Sequence, residues 1–206
     1  MTEQERQRLA TDTDDGMLVI ISGPSGVGKT TITRGVERSI RGSVFSVSMT
    51  TRPKTEADVE GVDYHFVTRD EFDELEAAGE FLETADVFGN KYGTPRSWVN
   101  EQLARGRLVI LEIDVEGAKQ VKEKMPDAFG IFVLPPSEDE LLDRLRSRKR
   151  EPEEVIQRRF AEAQREMGEA RRCGAYDRFI VNAELDRAIA EALDAVRHER
   201  TRRRAS

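Results

Sequence analysis

The first clear pattern in the chain is Met17-Leu18-Val19-Ile20-Ile21, an unbroken apolar run closed by Ser22. Residues 1–15 before it are polar, charged and without period, so a disordered leader is expected there. From Met17 onward, short apolar runs alternate with longer amphipathic stretches. Short runs that are apolar throughout suit strands covered on both faces. Their alternation with helical stretches predicts an α/β fold with a parallel core sheet flanked by helices. The expected strands are Met17–Ser22, Val44–Val47, Leu108–Ile113, Gly130–Leu134 and Arg178–Val181. Helices are expected after Gly28, from near Val115, from Ser137, from Pro152 toward Arg171, and from Asp186 to Arg197. Ser137 and Glu140 have the spacing of a capping box, and Pro152 suits a first helical position.

This rhythm breaks between Ser48 and Gly106. Tyr64–Val67 and Phe81–Val87 look like strands, and Asp70–Ala78 looks like a short helix ended by Gly79. Thr94-Pro95 looks like the cap of a helix that reaches Arg105 and stops at Gly106. The segment is expected to form a small inserted subdomain that carries a second substrate.

Composition narrows the class. A chain of 206 residues suits one compact domain. With 37% hydrophobic and 35% charged residues, its core is limited and its surface strongly charged. Met17–Ile21, the longest clean apolar run, is far short of a membrane span, and no signal pattern is expected at the start. Cys173 is the only cysteine, which excludes an internal disulfide and a thiolate zinc cluster. A reducing cytoplasm follows as the expected compartment. The net charge of −7 argues against bulk nucleic-acid binding. The basic end, Arg197–Arg204, is expected to be solvated and frayed.

Candidate chemistry starts directly after the first strand. Gly23-Pro24-Ser25-Gly26-Val27-Gly28-Lys29-Thr30 fits G-x-x-x-x-G-K-[ST], the phosphate-binding loop, between a strand and a helix as that loop requires. Glycines let successive backbone N–H groups point into one concavity, and the following helix N-terminus adds partial positive charge. Lys29 offers a mobile full charge to β- and γ-phosphates, and the Thr30 hydroxyl can ligate Mg²⁺.

Three further clusters accompany the loop. They are Ser46–Pro53 followed by Gly61–Phe66; Gly79–Glu83 followed by Gly89–Thr94; and Leu111–Gly117. Together with the loop they resemble the guanylate kinases, in order and spacing, from Leu18 to about Ala195.

The resemblance implies a kinase that transfers the γ-phosphoryl group of ATP to GMP, with dGMP as a further acceptor and Mg²⁺ as cofactor. ATP would meet residues 23–30, Thr31 and Asn182. Arg52, Tyr64 and Tyr92 match positions that hold the acceptor phosphate. Ser48, Glu83, Thr94 and Asp114 match positions that read guanine or fix its surroundings. Glu112 matches an acidic position near the reacting phosphates. Arg144, Arg148 and Arg159 match the phosphate-facing arginines of a lid. The implied layout is a core of residues 16–47, 107–143 and 160–197. A GMP-binding insert would span 48–106, a lid about 144–159, and a basic tail 198–206. No membrane and no specific nucleic acid enter this picture, and it leaves self-association open.

The chain also departs from the family pattern. Thr55, beside Lys54, stands where a second clamp arginine is common, which predicts a weaker clamp or a substitute contact from Lys54. Glu116 replaces a common glutamine, and Lys149-Arg150 a common Gly-Thr.

Overall fold

The computed structural model describes residues 16–87, 89–147 and 152–205. The elements in chain order are β1 (Met17–Ser22), α1 (Lys29–Ser39), β2 (Ser43–Phe45), β3 (Met49–Thr50), β4 (His65–Phe66), α2 (Arg69–Ala77), β5 (Phe81–Val87) and β6 (Asn90–Pro95). Then come α3 (Arg96–Ala104), β7 (Leu108–Glu112), α4 (Val115–Lys124), β8 (Phe129–Leu134), α5 (Glu138–Ser147), α6 (Glu153–Ala170), β9 (Arg178–Val181) and α7 (Leu185–Ala205). The leader, residues 1–15, lies outside the described residues, as does Arg148 with its neighbours Lys149 and Arg150.

A five-stranded parallel sheet in the order β2-β7-β1-β8-β9 forms the core. The two-residue period of a strand sends alternate side chains to opposite faces, and β1 feeds both. Leu18 and Ile20 join Val109, Leu111 and Phe132 under Val121 of α4, Leu141 and Leu145 of α5, and Met167 of α6. Met17, Val19 and Ile21 join Leu108, Ile110, Ile131 and Val133 under Ile32 and Val36 of α1 and Ala188, Ala192 and Val196 of α7. The α7 stripe recurs every four residues, the spacing of one helix face.

Gly130 in β8 shows how tightly this sheet is overlaid. A Cβ there would stand 2.1 Å from the Ala175 carbonyl oxygen, a backbone atom with no rotamer to yield. The crossing is fixed by two bonds, Asp177 N–H to Gly130 O and Gly130 N–H to the Asp177 carboxylate, both 2.8 Å. Gly130→Ala should therefore destabilise the fold by about 1–3 kcal/mol, a drop of roughly 3–10 °C in Tm. An unchanged thermal melt would contradict this.

A second, mixed sheet in the order β4-β3-β6-β5 makes up the insert. Only β3 and β4 run parallel; β3–β6 and β5–β6 are antiparallel. Its apolar side rests on the stacked rings of Phe72 and Phe81, 4.5 Å apart, with Gly93 pressed against both.

Several expectations are corrected. The strand placed at Val44–Val47 is observed at Ser43–Phe45, an edge strand on β7, with the Ser46 N–H still donating to Ile110 O. Neither β3 nor β6 was anticipated. Thr94-Pro95 is the end of β6, and Pro95 caps α3 without a side-chain bond. Pro152 precedes α6 as its N-cap rather than its first residue. Only half of the Ser137–Glu140 box forms: the Glu140 N–H donates to Ser137 Oγ, while the Glu140 carboxylate takes Arg144 instead. The complete box lies at Thr68 and Glu71, opening α2. Finally, α7 runs to Ala205, past Arg197. Glu199 holds Arg202 and Arg203 at helical spacing, and cations at a helix C-terminus are favoured by its dipole.

Candidate active site

The loop after β1 and the first turn of α1 form one half of the site. Gly28 caps α1 with φ 93° and no side-chain bond, leaving the first helical N–H groups to face the loop. A Cβ at Gly28 would meet Asn182 Nδ2 at 2.6 Å. That amide, at the end of β9 and 5% exposed, donates to Val27 O at 2.7 Å. Asn182 is thus a strut beneath the loop. Its own carbonyl accepts from Arg144 of α5 at 2.9 Å.

Three loop side chains have telling partners. Lys29 Nζ folds back to donate to Gly23 O at 2.8 Å. Thr30 Oγ1 donates to Glu112 Oε1 at 2.7 Å, joining the start of α1 to the end of β7. Arg159 of α6 donates to Ser25 Oγ. Residues from the loop, α1, β7, α5, α6 and the end of β9 therefore converge at the C-terminal edge of the sheet, where ligands of open α/β sheets gather.

The other half is built on the insert. Glu83 is 4% exposed and Thr94 1%, yet both are polar. Thr94 Oγ1 donates to Glu83 Oε1 at 2.6 Å. A break in strand alternation makes this possible. Phe81 pairs with Pro95 and Thr84 with Gly93, so Leu82 and Glu83 together face Thr94 alone. Such a bulge re-aims a side chain: Leu82 enters the core, and Glu83 turns to Thr94.

The Glu83 carboxylate also lies against the first turn of α4, since a Cβ on Gly117 would stand 2.9 Å from its Oε2. Asp114 caps that helix, accepting from Gly117 N–H at 2.8 Å. Burial pushes the Glu83 carboxyl up to about 7; the Thr94 bond opposes the shift, and Asp114 adds to it.

On the same sheet Tyr64 and Tyr92 meet edge to face at 5.5 Å, and the Arg52 guanidinium lies 5.3 Å from the Tyr64 ring. Burial raises the Tyr64 hydroxyl above its ordinary range, and the Glu112 carboxylate across the cleft adds to that rise. Ser48 sits just before β3, its carbonyl accepting from His65 N–H. Lys54 Nζ is 5.9 Å over the Phe66 ring.

The two halves border a cleft of about 630 Å³ reached by Ser25, Asp86, Asp114, Arg159, Glu162 and Glu166. Of the sequence-derived residues, Thr31 is exposed beside the loop, and Arg148 lies outside the described residues. Glu112, at the end of β7, accepts from Thr30 and also acts electrostatically on Tyr64 of the insert. Asp58, Gly117 and Glu166 were given no site role from the sequence. Glu166 is half-buried next to the Ala163–Met167–Ala170 stripe of α6, which is the signal that could have marked it. Burial pushes its carboxyl up to about 7; Lys29 pulls it down, and Asp114 and Glu162 push it up.

A phosphate loop between strand and helix, facing a cleft that β5 of the insert also borders, defines a P-loop nucleotide-binding protein. The sequence pattern of the family described as guanylate kinase matches residues 15–199. The chain belongs to the guanylate kinase family. The guanylate kinase of Symbiobacterium thermophilum is 47% identical over 187 residues, covering 91% of this chain and 87% of that relative. That of Streptococcus pneumoniae serotype 4 is 50% identical over 173 residues, with 84% and 82% covered. The crystal structure of guanylate kinase from Anaplasma phagocytophilum superposes with a TM-score of 0.69 at 33% identity, covering 90% of this chain and 87% of that one.

Proposed function

We propose that the protein transfers the γ-phosphoryl group of ATP to GMP, and to dGMP, with the residue roles that follow. The observation that carries the acceptor assignment is the buried Glu83–Thr94 pair against the first turn of α4. Guanine presents N1–H and N2–H₂ side by side, and a carboxylate accepts from both. Adenine presents a lone pair at N1, which a carboxylate repels. Arg52, Tyr64 and Tyr92 bind the GMP phosphate, with a guanidinium fork and neutral hydroxyl donors. Ser48 and Asp114 complete the surroundings of the base.

On the donor side, the loop N–H groups and Lys29 bind the ATP phosphates, with Asn182 near the adenine. Arg144, Arg148 and Arg159 offset the charge that develops as the phosphoryl group moves. A GMP phosphate oxygen attacks the γ-phosphorus in line, and no protein nucleophile is needed. Catalysis is positioning plus charge stabilisation with water excluded.

The Thr30 hydroxyl beside the Glu112 carboxylate supplies hard oxygen atoms, the donor type that suits Mg²⁺. Among the described residues no cluster of three or more His, Cys, Asp or Glu could hold a metal alone, so Thr30 would hold Mg²⁺ jointly with substrate phosphates. When bound, Mg²⁺ neutralises charge on the β- and γ-oxygens. No helix among the described residues is long and apolar enough to cross a membrane. We assign the enzyme to the cytoplasm on its single, partly exposed thiol at Cys173.

A coupled ADP-release assay over GMP, dGMP, AMP and ribose 5-phosphate tests the assignment. GMP and dGMP should turn over, with AMP and the sugar phosphate below about a thousandth of their kcat/KM. Equal turnover of the sugar phosphate would refute it.

A pH dependence follows as well. Guanine needs Glu83 as an acceptor, and a carboxyl raised to about 7 is ionised above that pH and protonated below it. Lowering the pH from 8 to 6 should raise the GMP KM about tenfold. A GMP KM that is flat across this range, in wild type at saturating ATP, would remove Glu83 from base recognition.

A further inference from the structure

Arg52 is engaged by its own loop. Its Nη1 donates to Asp58 Oδ2 at 3.0 Å and its Nη2 to Asp58 Oδ1 at 2.8 Å. Nη1 also donates to Pro53 O at 3.2 Å. A guanidinium has five N–H bonds in a fixed plane. Asp58 takes the two at the tip, and the Pro53 carbonyl takes the second hydrogen of Nη1. Among the described residues, the bonds left over are Nε–H and the second Nη2–H. These point the same way along one edge of the plane, and together they make the other two-donor fork of an arginine, which can take a phosphate.

Asp58 is held as firmly as it holds. Its Oδ2 accepts from the Thr55 N–H at 2.7 Å and from Thr55 Oγ1 at 2.6 Å, and its own N–H donates to Thr55 O at 3.2 Å. The residue at which a clamp arginine was missed thus fixes the carboxylate that orients Arg52. The aromatic rings of Tyr64 and Phe66 close the faces of the guanidinium at 5.3 and 5.5 Å. Tip, one flank and the rings are all accounted for, and the Nε–Nη2 edge stays open. Arg52 holds the Asp58 carboxyl well below its usual range, so the pair stays ionised at any pH at which the enzyme works.

We propose that Asp58, seated by Thr55, is a positioning residue that presents the Nε–Nη2 edge of Arg52 to the acceptor phosphate. This rests on the reading of Arg52 as a phosphate ligand. Asp58 is then a support for the clamp. It is not a stand-in for the phosphate that GMP must displace.

The test is a double-mutant cycle read by calorimetric GMP binding and by steady-state kinetics. Asp58→Ala should weaken GMP binding about tenfold, one mis-set charge-assisted contact. It should leave kcat within about twofold and the ATP KM unchanged, because the chemistry and the donor site are untouched. Asp58→Glu should restore part of the loss. In an Arg52→Ala background, Asp58→Ala should change GMP binding less than about twofold. Three results overturn the proposal: unchanged GMP binding in Asp58→Ala; tighter binding, which would make Asp58 a competitor; or an equal loss in the Arg52→Ala background, which would make its role a general one in the loop. If Arg52→Ala alone leaves GMP binding intact, the clamp reading itself fails and the proposal falls with it. That outcome is distinct from an Asp58 failure beside a functioning Arg52.

Discussion

Replacing Lys29 by methionine lowers kcat at least about a thousandfold and leaves the fold in place. Methionine keeps the length and apolar stem of the lysine and removes its charge. That charge is the mobile cation over the phosphate loop, and loss of one preorganised donor to developing negative charge costs about 10²–10³ in rate, more for a full charge. The structural loss is small. Among the described residues, the Lys29 ammonium donates to Gly23 O. Removal of that bond is worth about 1 kcal/mol, or a fall of roughly 2–4 °C in Tm. Lys29 also pulls the Glu166 carboxyl downward, so the variant should carry a more readily protonated Glu166. A kinase assay beside a thermal melt decides the matter. Retention of more than about a tenth of wild-type kcat would sink the catalytic assignment of the loop.

The second large effect concerns which base is accepted. Glu83→Gln keeps the shape of the side chain and replaces one acceptor by an NH₂ donor. An acceptor beside a donor complements the N6–H₂ and N1 edge of adenine and conflicts with the N1–H and N2–H₂ edge of guanine. The wild-type preference for GMP over AMP in kcat/KM is expected to be about 10⁴, the range for sites that leave buried polar groups unpaired with the wrong ligand. The variant should lose about a hundredfold of it or more, chiefly through GMP. Thr94 remains able to donate to the amide oxygen, so the local packing should hold. An unchanged GMP-to-AMP ratio would show that Glu83 does not read the base.

The parts that could be read in advance share a physical property: they depend on neighbours in sequence. The phosphate loop is a contiguous string, and the strand at Met17–Ser22 is apolar because both of its faces are covered. Arg178–Val181 and Phe81–Val87 are also bounded as expected, from their local run of apolar and β-branched residues. Part of what escaped depends on partners distant in the chain. Gly93 and Pro95 weaken any strand signal, and β6 exists because β3 and β5 flank it. Glu83 could be singled out, but not the bulge that buries it beside Leu82, since a bulge is a property of two strands. Asp58 is a different case: its partners Arg52 and Thr55 are only six and three residues away, but no motif or period marks that they converge on it. The basic end of α7 was read as frayed because its charges were counted without Glu199, whose ion pairs with Arg202 and Arg203 lie along the helix.

Tyr92 and Thr94 lie two residues apart on β6, on one face, and on the proposed reading they attend to opposite ends of the same substrate. A strand advances about 3.4 Å per residue, so the two anchor points are set about 7 Å apart. This interval belongs to backbone that is hydrogen-bonded on both sides and backed by Phe72 and Phe81, so it cannot stretch to suit the ligand. The insert therefore acts as a gauge of length as well as of chemical groups. A guanine carrying its phosphate on a tether longer or shorter than a pentose would reach one anchor and miss the other, however well each end matched on its own.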